Sequence, residues 1–239
     1  MPADKHDFEK GGPRPGFEKQ WLSKLNRCLE EHMPEEAEAI IVESGHGAEE
    51  DGLPVVEWTR ALLDQLEAAD PDRAKDVLAG CACQYPKPRL DEMRRVYAET
   101  GDLERVHAML QDQFLETTRD FLGLDEEEVD GIEERGWGVA GVLHGDTIIA
   151  TKMPFDWPSY WAEGDPGLRR FHYCHCPRVR DVIRKGNDPL SKTYCYCGAG
   201  FYKGVWEYIL GRPVEVEVLD TVMQGDDVCR IAVHLPEDA

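Results

Sequence analysis

The sequence predicts an α+β protein: an N-terminal helical region packed on a C-terminal antiparallel sheet that carries helices of its own. Three observations predict it. Apolar residues recur at helical spacing from Phe17 to about Arg135. At Gly136 the texture changes to short β-branched runs broken by Gly-containing turns. Near the end, Val214, Val216 and Val218 alternate with Glu215 and Glu217, the period of a half-buried strand.

The elements follow in order. Residues 1–16 carry Gly11-Gly12-Pro13 and Pro15-Gly16 and read as a flexible arm. The helical region spans 17–135. Phe17, Trp21, Leu25 and Leu29 mark its first helix, and Pro34, Pro54 and Asp70-Pro71 start three more. The helix after Pro71 stops at Gly80, read as a C-terminal cap. Two further helices lie near 89–99 and 102–122, separated by Gly101-Asp102, and an acidic one near 125–135. An α+β domain spans 136–239. It opens with a hairpin whose strands, Val139 to Leu143 and Thr147 to Thr151, flank His144-Gly145-Asp146. Residues 154–167, rich in Pro, Trp and Gly, read as a loop. Phe171 to Cys176 and Thr193 to Cys197 read as strands, Pro177 to Lys185 as a helix closed by Gly186. A helix from Phe201 to Leu210 ends at Gly211, and Val228 to Leu235 forms the last strand.

Composition excludes several classes. The 239 residues contain 48 acidic and 27 basic side chains, a formal net charge of -21. Such a field repels phosphate backbones and anionic lipids, so neither nucleic acid nor a membrane surface is the expected partner. No apolar run is long enough to span a bilayer. The N-terminus lacks the apolar core of a secretory signal. A cytoplasmic location is expected, where cysteines serve metals or chemistry more often than disulfides. One basic rim, Arg169, Arg170, Arg178, Arg180, Arg184 and Lys185, interrupts the acidity. It either faces an anion or pairs with the abundant carboxylates.

Six of the eight cysteines fall in three two-residue steps: Cys81-Ala82-Cys83, Cys174-His175-Cys176 and Cys195-Tyr196-Cys197. Cysteines used only as small apolar fillers would not cluster so. On paired strands, Cys174 and Cys176 would share a face with Cys195 and Cys197, and four sulfurs would converge. Thiolates suit zinc or iron–sulfur chemistry. Strand residues two apart lie roughly 6.6 Å apart, too far for zinc at about 2.3 Å from each sulfur. Pro177 and Gly198 would have to supply bends. Cys81 and Cys83 are further ligand candidates, in an arrangement that takes one sulfur from each step. Cys28, on an amphipathic helix, and Cys229, alternating with Ile231 and Val233, read as core. His172 and His175 flank the first step as cavity-lining groups or bases near neutral pH. The helix start at Gly198-Ala199-Gly200 allows close approach of an anion. Phe201, Tyr202 and Trp206 would wall a pocket there, with Lys203 and Arg170 meeting a carboxylate on its occupant.

Gly136-Trp137-Gly138-Val139-Ala140-Gly141 matches a dinucleotide fingerprint by letters, but precedes a strand instead of opening a helix after one, and is rejected. No phosphate-loop lysine, nucleophile elbow or His-Glu-x-x-His occurs.

The C-terminal third resembles the 4-vinyl reductase domain family. The likeness is carried by Cys197-Gly198-Ala199-Gly200 with its helix, by Gly211-Arg212-Pro213-Val214-Glu215-Val216, and by Gly225-Asp226-Asp227-Val228-Cys229-Arg230-Ile231. A similar ending occurs in relatives of L-2-amino-thiazoline-4-carboxylic acid hydrolase. The resemblance implies an α+β ligand-binding fold, often dimeric and sometimes metal-bearing, and transfers no catalytic residue. Three functions are expected in order: a zinc-binding module with a pocket for a small anionic organic ligand, a metal- or thiol-dependent hydrolase of a small heterocycle, and a thiol redox sensor.

Overall fold

The computed structural model describes residues 16–44, 54–186 and 188–236. All but the last residue of the expected N-terminal arm lies outside the described residues. The fold is α+β: helices dominate the N-terminal part, and a four-stranded antiparallel sheet is completed toward the C-terminus. The chain forms two compact units, each assembled from separated segments. The first takes residues 1–81, 154–197 and 222–227; the second takes 82–153, 198–221 and 228–239. These units cut across the linear division at residue 136 expected from composition.

The first unit is helical. α1 (Phe17–His32) buries Trp21, Leu25, Cys28 and Leu29 along one face, the stripe expected of an amphipathic helix. α2 (Ala37–Glu43) is short. α3 (Val55–Ala69) buries Trp58, Leu62, Leu63 and Leu66. α4 (Pro71–Gly80) starts at Asp70, whose carboxylate accepts the backbone N–H groups of Asp72 and Arg73, satisfying donors that a helix start otherwise leaves orphaned. α4 packs against both α1 and α3. Gly80 does not adopt a left-handed cap. Its missing Cβ makes room for the Cys28 sulfur, which occupies the place where a side chain would sit.

Residues 154–186 hold no strand. They form α8 (Trp157–Ala162), α9 (Pro166–Tyr173) and α10 (Asp181–Lys185). Asp156 and Asp165 cap the first two, accepting the N–H groups of Ser159 and Leu168, and each is followed by a proline in the first turn. Proline has no N–H to lose there, so the pair fixes a helix start. The expected strand from Phe171 to Cys176 is therefore the end of α9 and the turn after it. A 3₁₀ turn at Lys192–Cys195 replaces the second expected strand and runs into α11 (Tyr196–Leu210).

In the second unit, α5 (Asp91–Thr100), α6 (Leu103–Leu122) and α7 (Glu126–Glu134) follow one another with short connections. A reciprocal capping box between Asp125 and Glu128 opens α7. β1 (Val142–His144) and β2 (Thr147–Thr151) form the expected hairpin. β3 (Glu215–Asp220) and β4 (Arg230–His234) complete a sheet of order β1-β2-β4-β3. Register is set by pairs such as Ile148 with Val233 and Val218 with Ile231. The central strand β4 buries Ile231, Ala232 and Val233, so both of its faces are covered. Gly141 lies at φ 67° against the Ile149 carbonyl and Ala150 backbone, where any Cβ would collide, so the hairpin enters through a position only glycine fits.

Candidate functional site

The structure places six cysteines in the first unit, in a pattern different from two facing strands. Cys174 caps α9, its N–H donating to the Arg170 carbonyl, and is buried. Cys176 lies in the following turn, held by the Arg180 N–H on its carbonyl. Cys195 closes the 3₁₀ turn, and Cys197 sits in the first turn of α11. The two steps thus lie at helix ends and not on paired strands.

Cys176 Sγ lies 3.3 Å from the Tyr194 hydroxyl. Arg178 Nη1 donates to the same hydroxyl at 3.1 Å. The remaining edge of that guanidinium grips Glu18, Nε to Oε2 and Nη2 to Oε1, both at 2.8 Å. The Arg178 side chain is only 1 % exposed. Its plane lies 3.8 Å over the Trp21 ring, a desolvated cation–π contact of the kind worth about 2 kcal/mol. Burial works against the Arg178 charge, but the Glu18 hydrogen bonds and Tyr194 prevail and raise its pKa. Burial pushes the Tyr194 phenol well above its usual range, and the neighbouring Cys176 adds to this. A phenol that stays protonated and accepts from Arg178 keeps its own hydrogen for the Cys176 sulfur.

A second sulfur contact joins α1 to the end of α4. Cys28 and Cys81 are 2 % and 1 % exposed, and the Cys28 sulfur sits where a Cβ on Gly80, the residue before Cys81, would fall. Cys81 Sγ also lies 3.3 Å from the Val77 carbonyl. The neighbouring Cys81 thiol holds Cys28 below the ordinary thiol range, with Arg27 and His32 helping. The Cys28 sulfur first and burial next push Cys81 far up. Cys197 lies near enough to raise Cys81 further, and it also acts on Tyr194.

The other sequence candidates lie elsewhere. Cys83 is exposed and belongs to the second unit, as does Cys229, whose sulfur lies 3.9 Å from Thr221 Oγ1. His172 faces Asp156 at 3.4 Å. His175 is exposed and sits against the Phe155 ring. The basic rim is engaged with its own surface: Arg170 lies 4.0 Å from Asp227, Arg180 and Arg184 cover Phe171, and Arg184 pairs with Asp181. In α11, Trp206 is buried and stacked on His107, and Phe201 meets Tyr85 edge-on. Tyr202 is buried among the same residues' helix, with its phenol pushed up by burial. Lys203 donates to the Val214 carbonyl and pairs with Glu207 at 3.2 Å, tying α11 to the strand after it. A surface depression of about 420 Å³, lined by Asp102, Leu103, Glu104 and Leu143 among others, involves none of these side chains.

Among the described residues, no group of three or more His, Cys, Asp or Glu side chains is disposed to hold a metal ion. The residues therefore do not fit the zinc expectation as it was drawn on paired strands. Sequence reasoning missed Tyr194, Glu18 and the Cys28–Cys81 pairing, and placed Arg178 only in the basic rim. The available signal was Gly80 directly before Cys81, a residue small enough for another chain segment to approach.

A family of unknown function (DUF6144) matches residues 159–238. That stretch includes Cys174, Cys176, Arg178, Tyr194, Cys195 and Cys197, and leaves Cys28 and Cys81 outside. No curated protein and no solved structure matches the chain.

Proposed function

We propose that the protein is a thiol redox sensor of a reducing, cytoplasmic compartment, and that Cys28 and Cys81 are its switching pair. The observation that carries this reading is the seating of the Cys28 sulfur against Gly80, the residue before Cys81, where α1 packs on α4. A lowered pKa on one sulfur beside a protonated partner is the arrangement that thiol–disulfide chemistry uses, because the thiolate is the attacking species. Oxidation would remove two electrons and two protons from the pair and form one S–S bond, with a hydroperoxide as the oxidant. No helix among the described residues is long and apolar enough to cross a membrane, which agrees with that location. The order α11, β3, turn and β4 supports the likeness to 4-vinyl reductase domains at the level of fold.

The test is a disulfide map. Fully reduced protein is exposed to hydrogen peroxide, quenched with an alkylating agent and digested for mass spectrometry. A peptide pair linked through Cys28 and Cys81, reversed by dithiothreitol, is the expected result. Both thiols still alkylated after oxidation, or stoichiometric zinc with four thiols protected until a chelator is added, would overturn the reading in favour of an inert core or a metal centre.

A further inference from the structure

The hydrogen-bond chain that ends on Cys176 runs in one direction. Arg178 holds Glu18 through Nε and Nη2, at 2.8 Å each, which leaves Nη1 for the Tyr194 hydroxyl at 3.1 Å. A guanidinium has donors and no acceptor, so the Tyr194 oxygen accepts there. The phenol still has its own hydrogen to place, and the Cys176 sulfur stands 3.3 Å from its oxygen. Arg178 and Tyr194 are both buried, and a buried donor left unpaired is costly. The phenol hydrogen therefore goes to the sulfur. A hydrogen bond of this kind is strongest when its acceptor is ionised, and the thiolate is the form of cysteine that attacks. Access is also met: Cys176 is partly exposed, whereas Cys28 and Cys81 are buried.

The segment around Cys176 sets the charge of what it meets. The whole chain has 48 acidic and 27 basic side chains, but residues 166–186 have six basic ones and a single acidic one, Asp181. The Arg180 N–H holds the Cys176 carbonyl at 3.1 Å. The Arg180 guanidinium lies over the rings of Phe155 and Phe171, at 5.3 and 5.0 Å, and Arg184 lies over Phe171 at 5.4 Å. Side chains of the turn that carries the sulfur are thus set in a cationic surface. Such a local field draws small anions to a chain that otherwise repels them.

We propose that Cys176 is a thiolation site for an anionic low-molecular-weight disulfide, with Tyr194 hydrogen-bonding its sulfur and the basic segment attracting the reagent. The Cys176 thiolate attacks one sulfur of the disulfide. A new S–S bond forms to Cys176, the S–S bond of the small molecule breaks, and its other half leaves as a thiolate. One thiol and one disulfide give one mixed disulfide and one thiol, and an excess of the small thiol reverses the step. The site is separate from the Cys28–Cys81 pair and does not depend on the redox reading of that pair.

The experiment uses the full chain, reduced, with glutathione disulfide as the anionic probe and 2-hydroxyethyl disulfide as the neutral one. Acid-quenched time points are mapped by mass spectrometry. In the unaltered protein, glutathione should add to Cys176 before it adds to Cys83, the exposed cysteine. First addition at Cys83, or at any other cysteine, would overturn the proposal, and this comparison needs no variant. Tyr194→Phe, with its fold checked by circular dichroism, should slow the Cys176 adduct about threefold or more with either probe. A folded Tyr194→Phe protein that reacts at the unaltered rate would remove the hydrogen bond from the proposal and overturn it. Arg180→Gln/Arg184→Gln should slow the anionic probe alone, by about threefold. Equal effects on the two probes would overturn the anionic class. The readout is a mass increment on the Cys176 peptide, distinct from a Cys28–Cys81 disulfide, so either reading can fail without the other.

Discussion

Cys28 and Cys81 differ in one respect that decides their chemistry: which sulfur keeps the proton. The neighbouring Cys81 thiol lowers the Cys28 pKa, as do Arg27 and His32, while the Cys28 sulfur first and burial next raise that of Cys81. In an unfolded chain both thiols would titrate near about 8.5. Thiolate absorbance followed through a pH titration of the reduced protein should therefore show a step well below that value, absent in Cys28→Ser. The stability consequence has opposite signs on the two sides. As pH rises from the folded pKa of Cys28 to the unfolded value, the unfolded chain binds more protons, so the Cys28 contribution grows and is complete above it. It is lost as pH falls back through the folded value. Above the unfolded value the native Cys81 keeps a proton that the unfolded chain releases, and stability declines. Denaturant unfolding across pH, compared with a Cys28→Ser/Cys81→Ser variant, should show this rise and fall only in the unaltered chain. A pH-independent difference would mean the two sulfurs are merely packed.

At the scale of elements, the sequence was legible where one signal dominated. The alternation of Val216 and Val218 with Glu215 and Glu217 became β3, and the apolar stripe from Trp21 to Leu29 became the buried face of α1. Asp70-Pro71 was read as a helix start and is one. The same chemistry at Asp165-Pro166, and at Asp156 with Pro158, was hidden because Trp, Pro and Gly around it read as loop. That oversight turned the end of α9 into an expected strand; the second expected strand falls separately, where Ser191 caps the 3₁₀ turn that leads into α11. Gly80 shows the converse case: a glycine that reads locally as a cap but is required by a distant helix. A Cβ there would land on Cys28 Sγ. Gly80→Ala should therefore destabilise by about 1–3 kcal/mol through overpacking, despite alanine's better helix propensity. Adding Cys28→Ala should recover about 1 kcal/mol or more of that loss, since the two changes share one space. Additive losses in denaturant unfolding would show that α1 and α4 do not meet through this pair.

Across the whole molecule, chain order and compact units do not coincide. Composition divides the sequence at Gly136, because helices precede that point and strands follow it. The spatial division uses different cuts: residues 154–197 join α1 to α4 in one unit, and residues 82–153 join α11 and β4 in the other. No local pattern could reveal this, because the contacts that define it link residues far apart in sequence. In the first unit Arg178 needs Glu18 and Trp21, and Ser191 bonds Glu67. In the second, Trp206 stacks on His107, and Arg94 donates to the Tyr208 carbonyl at 3.0 Å. A fragment of residues 136–239 would keep the four strands but lose the partners of Arg178 and Trp206. A buried arginine without its carboxylate is costly, about 3–5 kcal/mol in comparable pairs, a large share of the 5–15 kcal/mol that a typical domain possesses. Such a fragment should therefore show no cooperative thermal transition by circular dichroism and should be cut rapidly by protease. The full chain should unfold cooperatively under the same conditions. A fragment that melted sharply and resisted proteolysis would restore the linear boundary, and would show that the sheet and α11 need nothing from the residues before Gly136.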